Sequence, residues 1–185
     1  ALPGWNDRYF GADLWEVPVA GGRPRRLAAY PLLPGESAVV GGTVALPASG
    51  GRADPISSVA LVDLTGSPPR RIAPGWDGQV TDVMTWPTHP EAVAVQAVRG
   101  VHGGFYALPL NGGEPDAIGP APAVECGSVE RGATISAGGT RVAYVWSNGT
   151  TPEEVWVGDL RGEARPITEF GAPFRDRLQP VERLT

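Results

Sequence analysis

Few residues of this 185-residue chain could carry bond chemistry. Serine catalysis needs a hydroxyl on a sharp strand-to-helix turn, in a G-x-S-x-G setting, and a histidine to take its proton. No G-x-S-x-G occurs. Ser128 follows Gly127, but Cys126 stands where the first glycine belongs and Val129-Glu130-Arg131 comes after, so Ser128 reads as a loop hydroxyl. The two histidines sit in turn contexts, Pro87-Thr88-His89-Pro90 and Gly100-Val101-His102-Gly103-Gly104, and both are expected to be exposed. Neither has an H-x-x-x-H mate or a cysteine at zinc-ligand spacing. Cys126, the one cysteine, has no second thiol for an internal disulfide and no base beside it, and reads as a small half-buried residue. Gly21-Gly22 and Gly112-Gly113 precede no helix that could hold a phosphate and read as hairpin turns. The chain is thus expected to carry no catalytic residue, no metal ligand and no cofactor; its substrate-binding residues are unknown from sequence.

Composition narrows the partners. The net charge of −5 argues against nucleic acid, which calls for a basic face. No run approaches the ~18 apolar residues of a membrane span, so no membrane partner is expected. All fifteen basic residues are arginines. With abundant Ala, Gly and Pro, that bias fits a GC-rich coding sequence; a preference for arginine as a carboxylate ligand is the other reading. Gly 26 and Pro 20 would suggest disorder if scattered without a period. They fall between short strand-like runs and read as turns.

Those runs repeat. Leu14 to Leu27 (LWEVPVAGGRPRRL), Ala60 to Ile72 (ALVDLTGSPPRRI), Tyr106 to Ile118 (YALPLNGGEPDAI) and Trp156 to Ile167 (WVGDLRGEARPI) share one pattern. Each is an alternating strand, a polar turn, an Arg- or Pro-bearing stretch and a closing Leu or Ile. The closing residues Leu27, Ile72, Ile118 and Ile167 are 45, 46 and 49 residues apart. A step of roughly 40–50 residues is the propeller-blade range. Earlier runs keep the period: Val44-Ala45-Leu46, Val93-Ala94-Val95 and Val142-Ala143-Tyr144 are spaced by 49, as are Trp86 and Ile135. A full unit therefore has four short strands, in one case ending near Trp86, at Ala92–Val98, at Phe105–Leu110 and near Ala117. Four antiparallel strands per repeat make a blade. The nearly all-apolar run from Val93 to Val98 fits a sheet buried on both faces between neighbours.

The fold class is all-β, a partial β-propeller of about three and a half four-stranded blades. The first copy starts at a third strand, and the segment from Phe170 to Thr185 shows no further strand pair. Propellers close with about four to eight blades, so further blades are expected in a longer protein. A self-contained four-bladed ring, its tail supplying a strand, is the alternative. The recurring pairs Arg25-Arg26 and Arg70-Arg71 mark a structural slot on an outer strand. Trp5, Trp15, Trp76, Trp86, Trp146 and Trp156 are expected to pack between blades.

The last unit is the most particular. Thr134 to Val145 (TISAGGTRVAYV) resembles the strand-turn-strand of WD-type and TolB-like propellers. Ser147 to Leu160 (SNGTTPEEVWVGDL) resembles the final blade of the prolyl oligopeptidase family in its acylaminoacyl peptidase branch, with its "P-x-E-V-[YW]-V" strand, "D-L-x-G" turn and "LT-x-x-N" close. Here the close is Ile167-Thr168-Glu169-Phe170-Gly171, with Gly171 in place of the family's Asn, and Ala137-Gly138-Gly139 replaces the usual acidic turn. The resemblance implies residues 1–169 as C-terminal propeller blades and 170–185 as a linker toward a missing α/β-hydrolase domain. It implies a non-catalytic propeller part of a serine peptidase, restricting access to short peptides, with those peptides, further blades and the hydrolase domain as partners and a cytoplasmic location. Some relatives hold a substrate amino terminus with paired propeller glutamates, but Glu153-Glu154 aligns with the ordinary "P-x-E-V" strand. A stand-alone TolB-like propeller acting as a protein-binding scaffold is the alternative. A sugar-binding propeller has only the tryptophans behind it.

Overall fold

A computed structural model describes residues 12–30, 37–49, 57–100, 102–119, 124–125, 132–148 and 151–178. The expected strands are present and pair as consecutive antiparallel neighbours. The first sheet holds β1 (Ala12–Glu16) and β2 (Arg25–Tyr30). The second runs β3 (Ala38–Val40), β4 (Thr43–Ser49), β5 (Ser57–Asp63) and β6 (Arg70–Ile72). The third runs β7 (Gln79–Thr85), β8 (Ala92–Arg99), β9 (His102–Pro109) and β10 (Asp116–Ala117), and β11 (Val124–Glu125) also pairs with β9. The fourth runs β12 (Thr134–Ile135), β13 (Arg141–Asn148), β14 (Thr151–Asp159) and β15 (Ala164–Pro166). A short 3-10 helix, Ala172–Arg177, follows. The fold is a partial β-propeller.

Register makes the repeat exact at the level of pairs. Glu16 faces Arg25, Leu61 faces Arg70, Ala107 faces Asp116 and Val157 faces Arg165. These four pairs are equivalent positions on the third and fourth strands of successive sheets. β11 was not expected: it pairs at His102 and Gly103, beyond the end of β10 on the same edge of β9.

The core lies between sheets. Ala45, Val59, Leu61 and Ile72 of the second sheet pack on Val80, Val83, Val93 and Val95 of the third. On the third sheet's other face, Met84, Ala94, Phe105, Ala107 and Ile118 meet Val142 and Tyr144 of the fourth. Leu14 of the first sheet packs on Val44, Leu46 and Ala60 of the second. Each middle sheet is thus covered on both faces, which is why β8 is buried at six consecutive positions, Ala92 to Ala97, all apolar but Gln96. A bulge between Val80 and Asp82 on β7 lets the Thr81 hydroxyl donate to the Gln96 carbonyl at 3.2 Å.

Candidate functional site

The residues singled out for chemistry do not converge. Ser128, Cys126 and Trp5 lie outside the described residues. His89 lies in the β7–β8 turn as expected, its side chain 42% exposed: its ring lies 3.8 Å, centroid to centroid, from the Trp86 ring, and its Nδ1 is 3.0 Å from Glu91 Oε1. Glu91's own backbone N–H, and then the His89 ring, hold the Glu91 carboxyl below the usual carboxylate range. His102 is not a turn residue. It opens β9 opposite Arg99 and is half-buried, because the Gly100 turn is tight enough for pairing to begin there. Among the described residues, no three His, Cys, Asp or Glu side chains are grouped as a metal ion would need. No helix among them is long and apolar enough to cross a membrane.

The glutamate pair divides into two environments because side chains alternate along a strand. Glu153 is exposed, whereas Glu154 is 3% exposed. The Glu154 carboxylate gathers the chain that leaves the last sheet. Thr168 Oγ1 donates to Oε2 at 2.5 Å, Phe170 N–H to Oε2 at 3.0 Å and Gly171 N–H to Oε1 at 2.6 Å. The Thr168 hydroxyl in turn accepts from Val155 N–H at 2.9 Å. Gly171 is required here by space: a Cβ would lie 2.5 Å from Pro152 Cγ. This arrangement is an anchor that ties the exit segment to β14.

The recurring arginines form a second device. Arg25 Nη2 donates to the Leu64 carbonyl at 2.8 Å, and Arg70 Nη2 to the Leu110 carbonyl at 2.7 Å. In both, an outer-strand arginine reaches the turn after the third strand of the next sheet. At the third sheet the same slot holds Asp116, and the polarity reverses: Arg161, in the corresponding turn of the fourth sheet, pairs with Asp116. Arg161 N–H also donates to the Ile118 carbonyl at 2.9 Å, holding Arg161 at φ +63°, a left-handed conformation unusual for a side-chain-bearing residue. Arg26, beside Arg25, instead pairs with Asp13 within its own sheet at 2.7 Å.

Trp86 links the third and fourth sheets. Its buried Nε1–H donates to the Gly139 carbonyl at 2.8 Å. Gly139 has φ +68°, and a Cβ there would lie 2.1 Å from Thr88 Oγ1, so the Ala137-Gly138-Gly139 turn is shaped to the neighbouring sheet. Trp76 meets Tyr106 edge-on at 4.9 Å and Trp146 meets Trp156 at 4.8 Å. Trp15, by contrast, is 50% exposed. An open groove of about 260 Å³ crosses the end of the last sheet, lined by Arg141, Val157, Asp159, Glu163 and Arg165 among others.

No family model matches the sequence. No curated protein matches it either. Solved structures do. The chain is similar to Pyrococcus horikoshii acylaminoacyl peptidase at 16% identity and TM-score 0.62, over 93% of this chain and 25% of that one. It matches the β-propeller domain of the trilobed protease from Pyrococcus furiosus, described as having an open velcro topology, at 15% identity and TM-score 0.62, over 94% of this chain and 47% of that one. It matches TolB from Acinetobacter baumannii at 17% identity and TM-score 0.63, over 84% and 37%. The chain spans between a quarter and half the length of these three structures. At these identities the likeness is one of fold, and the fold that this chain shares with acylaminoacyl peptidase, the trilobed protease and TolB is the β-propeller.

Proposed function

We propose that this chain is the non-catalytic propeller part of an acylaminoacyl-peptidase-like serine peptidase, restricting access to short peptides. Residues 1–169 form its C-terminal blades and 170–185 lead toward an α/β-hydrolase domain. The observation that carries the reading is the end of the last sheet: the strand that resembles the family's "P-x-E-V" places Glu154 to bind the backbone of the segment that resembles the family's close. The match to acylaminoacyl peptidase over 93% of the chain supports it. The physical role is exclusion. A ring of stiff sheets over a hydrolase site admits extended peptides and keeps folded proteins out, within the cytoplasm. Acyl transfer would use a serine, a histidine and an acidic residue from the hydrolase domain, none of them on these 185 residues.

The test is expression of the full open reading frame, labelling with a fluorophosphonate and assay on short N-acylated peptides against a folded protein of the same sequence content. A labelled serine and hydrolysis of the short peptides alone are expected. A product that carries no reactive serine sinks the reading. The TolB matches favour one rival, a propeller acting as a protein-binding scaffold without an attached enzyme. It predicts no labelling, and a protein partner recovered with the intact propeller.

A further inference from the structure

The two seams flanking the third sheet share one plan, and one of them is polar. Register allows a comparison residue by residue. The cross-strand pair Ala97–Gly104 of the third sheet corresponds to Trp146–Glu154 of the fourth, and Val95–Tyr106 to Tyr144–Trp156. Pro47–Val59 of the second sheet corresponds to Gln96–Phe105 of the third. Between the second and third sheets these positions are closed by apolar groups: Pro47, Val59, Val95 and Ala97 are all fully buried. Between the third and fourth they hold Gln96, Trp146, Glu154 and Trp156. Met84 and Ala94 face the fourth sheet, so Gln96, two residues from Ala94, and Asp82, opposite Gln96, share that face. Asp82 is 1% exposed and Gln96 2%. The Phe105 ring beside Gln96 meets the Tyr144 ring beside Trp156 at 5.2 Å, which brings the two rows together. Gly103, on the same face as Phe105, is buried and adds no side chain at that end of the seam. The Nε1–H groups of Trp146 and Trp156 are both shut off from solvent, and neither donates to a protein atom among the described residues. Asp82 and Gln96 each make contacts of their own, and a carboxylate or amide oxygen accepts more than one hydrogen bond.

We propose that this seam is a binding site for one internal water molecule, which accepts from the Nε1–H of Trp146 and of Trp156 and donates to oxygens of Gln96 and Asp82. The chemistry of the lining selects the ligand. Two N–H donors turn away a cation, and two acceptor oxygens turn away an anion. The occupant has to accept twice and donate twice, and water does both from one atom. Without it the seam would hold two buried indole donors with no acceptor, a costly state that native interiors avoid. The water joins the third and fourth sheets at the level where apolar contact joins the second and third. The inference is independent of the proposed function and of any hydrolase domain.

The test uses the full-length gene product. Trp146 and Trp156 are replaced, singly and together, by benzothienylalanine, which keeps both rings and puts sulfur where the N–H was. The exposed Trp15 is the reference. Thermal unfolding gives the sign. Donors held by a shared water predict a Tm lower by a few degrees for each single change and within about a degree of the parent at Trp15. The double change then costs less than the sum of the singles, because both donors serve one acceptor. Donors without an acceptor predict the opposite sign, since removing a buried unsatisfied group is neutral or stabilising. An unchanged or raised Tm therefore overturns the proposal, and so do additive losses. A high-resolution crystal structure of the parent gives the position. A water peak about 3 Å from both Nε1 atoms and from oxygens of Gln96 and Asp82 is expected. Indoles that donate directly to protein oxygens, or a peak within reach of only one of them, overturn it.

Discussion

Replacing Glu154 tests whether the buried carboxylate is what ties the exit segment to the last sheet. Glu154→Ala removes the acceptor for three donors at 2.5, 3.0 and 2.6 Å. The three are not equal in cost. Phe170 is 74% exposed, so its freed N–H can bond to water, and the Thr168 hydroxyl keeps the Val155 N–H. The Gly171 N–H lies in a buried residue under Pro152 and loses its partner outright. A hydrogen bond to a charged group contributes about 1.5–3 kcal/mol net, and a buried donor left alone costs about 1–3 kcal/mol. Burial of the carboxylate itself is unfavourable, so part of that loss is returned when the charge goes. The expected net loss is about 3 kcal/mol, or roughly 6–12 °C in Tm for a domain of this size. Glu154→Gln keeps one acceptor oxygen but turns an amide N–H₂ toward a donor, and is expected to lose about half as much. Urea unfolding of both variants gives the stability, and limited trypsinolysis read at Arg177 reports whether the segment has come loose. A loss below about 0.5 kcal/mol in Glu154→Ala, the range of ordinary surface changes, with unchanged cleavage at Arg177, would falsify the anchor.

Gly171→Ala should cost about 2 kcal/mol or more, because its Cβ meets Pro152 Cγ at 2.5 Å and Cβ at 2.6 Å, and in a Pro152→Gly background, which removes both atoms, the same change should cost much less in the same melts. Trp86→Phe keeps the ring in the core but leaves the Gly139 carbonyl without the indole N–H, a loss of about 1–2 kcal/mol measurable by urea unfolding. Arg70→Ala, which removes a bond to the Leu110 carbonyl at an exposed site, should cost no more than about 1 kcal/mol. Burial raises the Tyr144 phenol to about 12, above its unfolded value near 10. The folded state therefore holds that proton longer, and the stabilisation present below pH 10 is lost as pH rises through about 12. Absorbance titration at alkaline pH should show a late-ionising tyrosine component, and Tyr144→Phe should remove it.

The blades were legible because a strand records its own burial in its period. Val93 to Val98 could only be covered on both sides, and the closing Leu and Ile residues marked where each fourth strand returns. The arginine slot was legible as a recurrence, since equal spacing places Arg25 and Arg70 at the same register position. Its purpose was not: nothing in the sequence separates Arg25, which crosses to Leu64, from Arg26, which stays with Asp13. The same holds for Glu153 and Glu154, where strand parity had to be known before one could be put in solvent and the other inside. His102 was misplaced because glycines on both sides look like a loop, although two of them sit within β9.

The sequence by itself determined the sheets, their order and their four-strand plan, because those follow from hydrophobic alternation and turn residues acting over a few neighbours. Only the tertiary structure decided how one sheet holds the next: the reach of Arg70 to Leu110 over 40 residues, the inverted pair of Asp116 and Arg161, and the seat of Trp86 on Gly139. Such contacts depend on sheet twist and stacking, which join residues a full repeat apart and leave no local period to read.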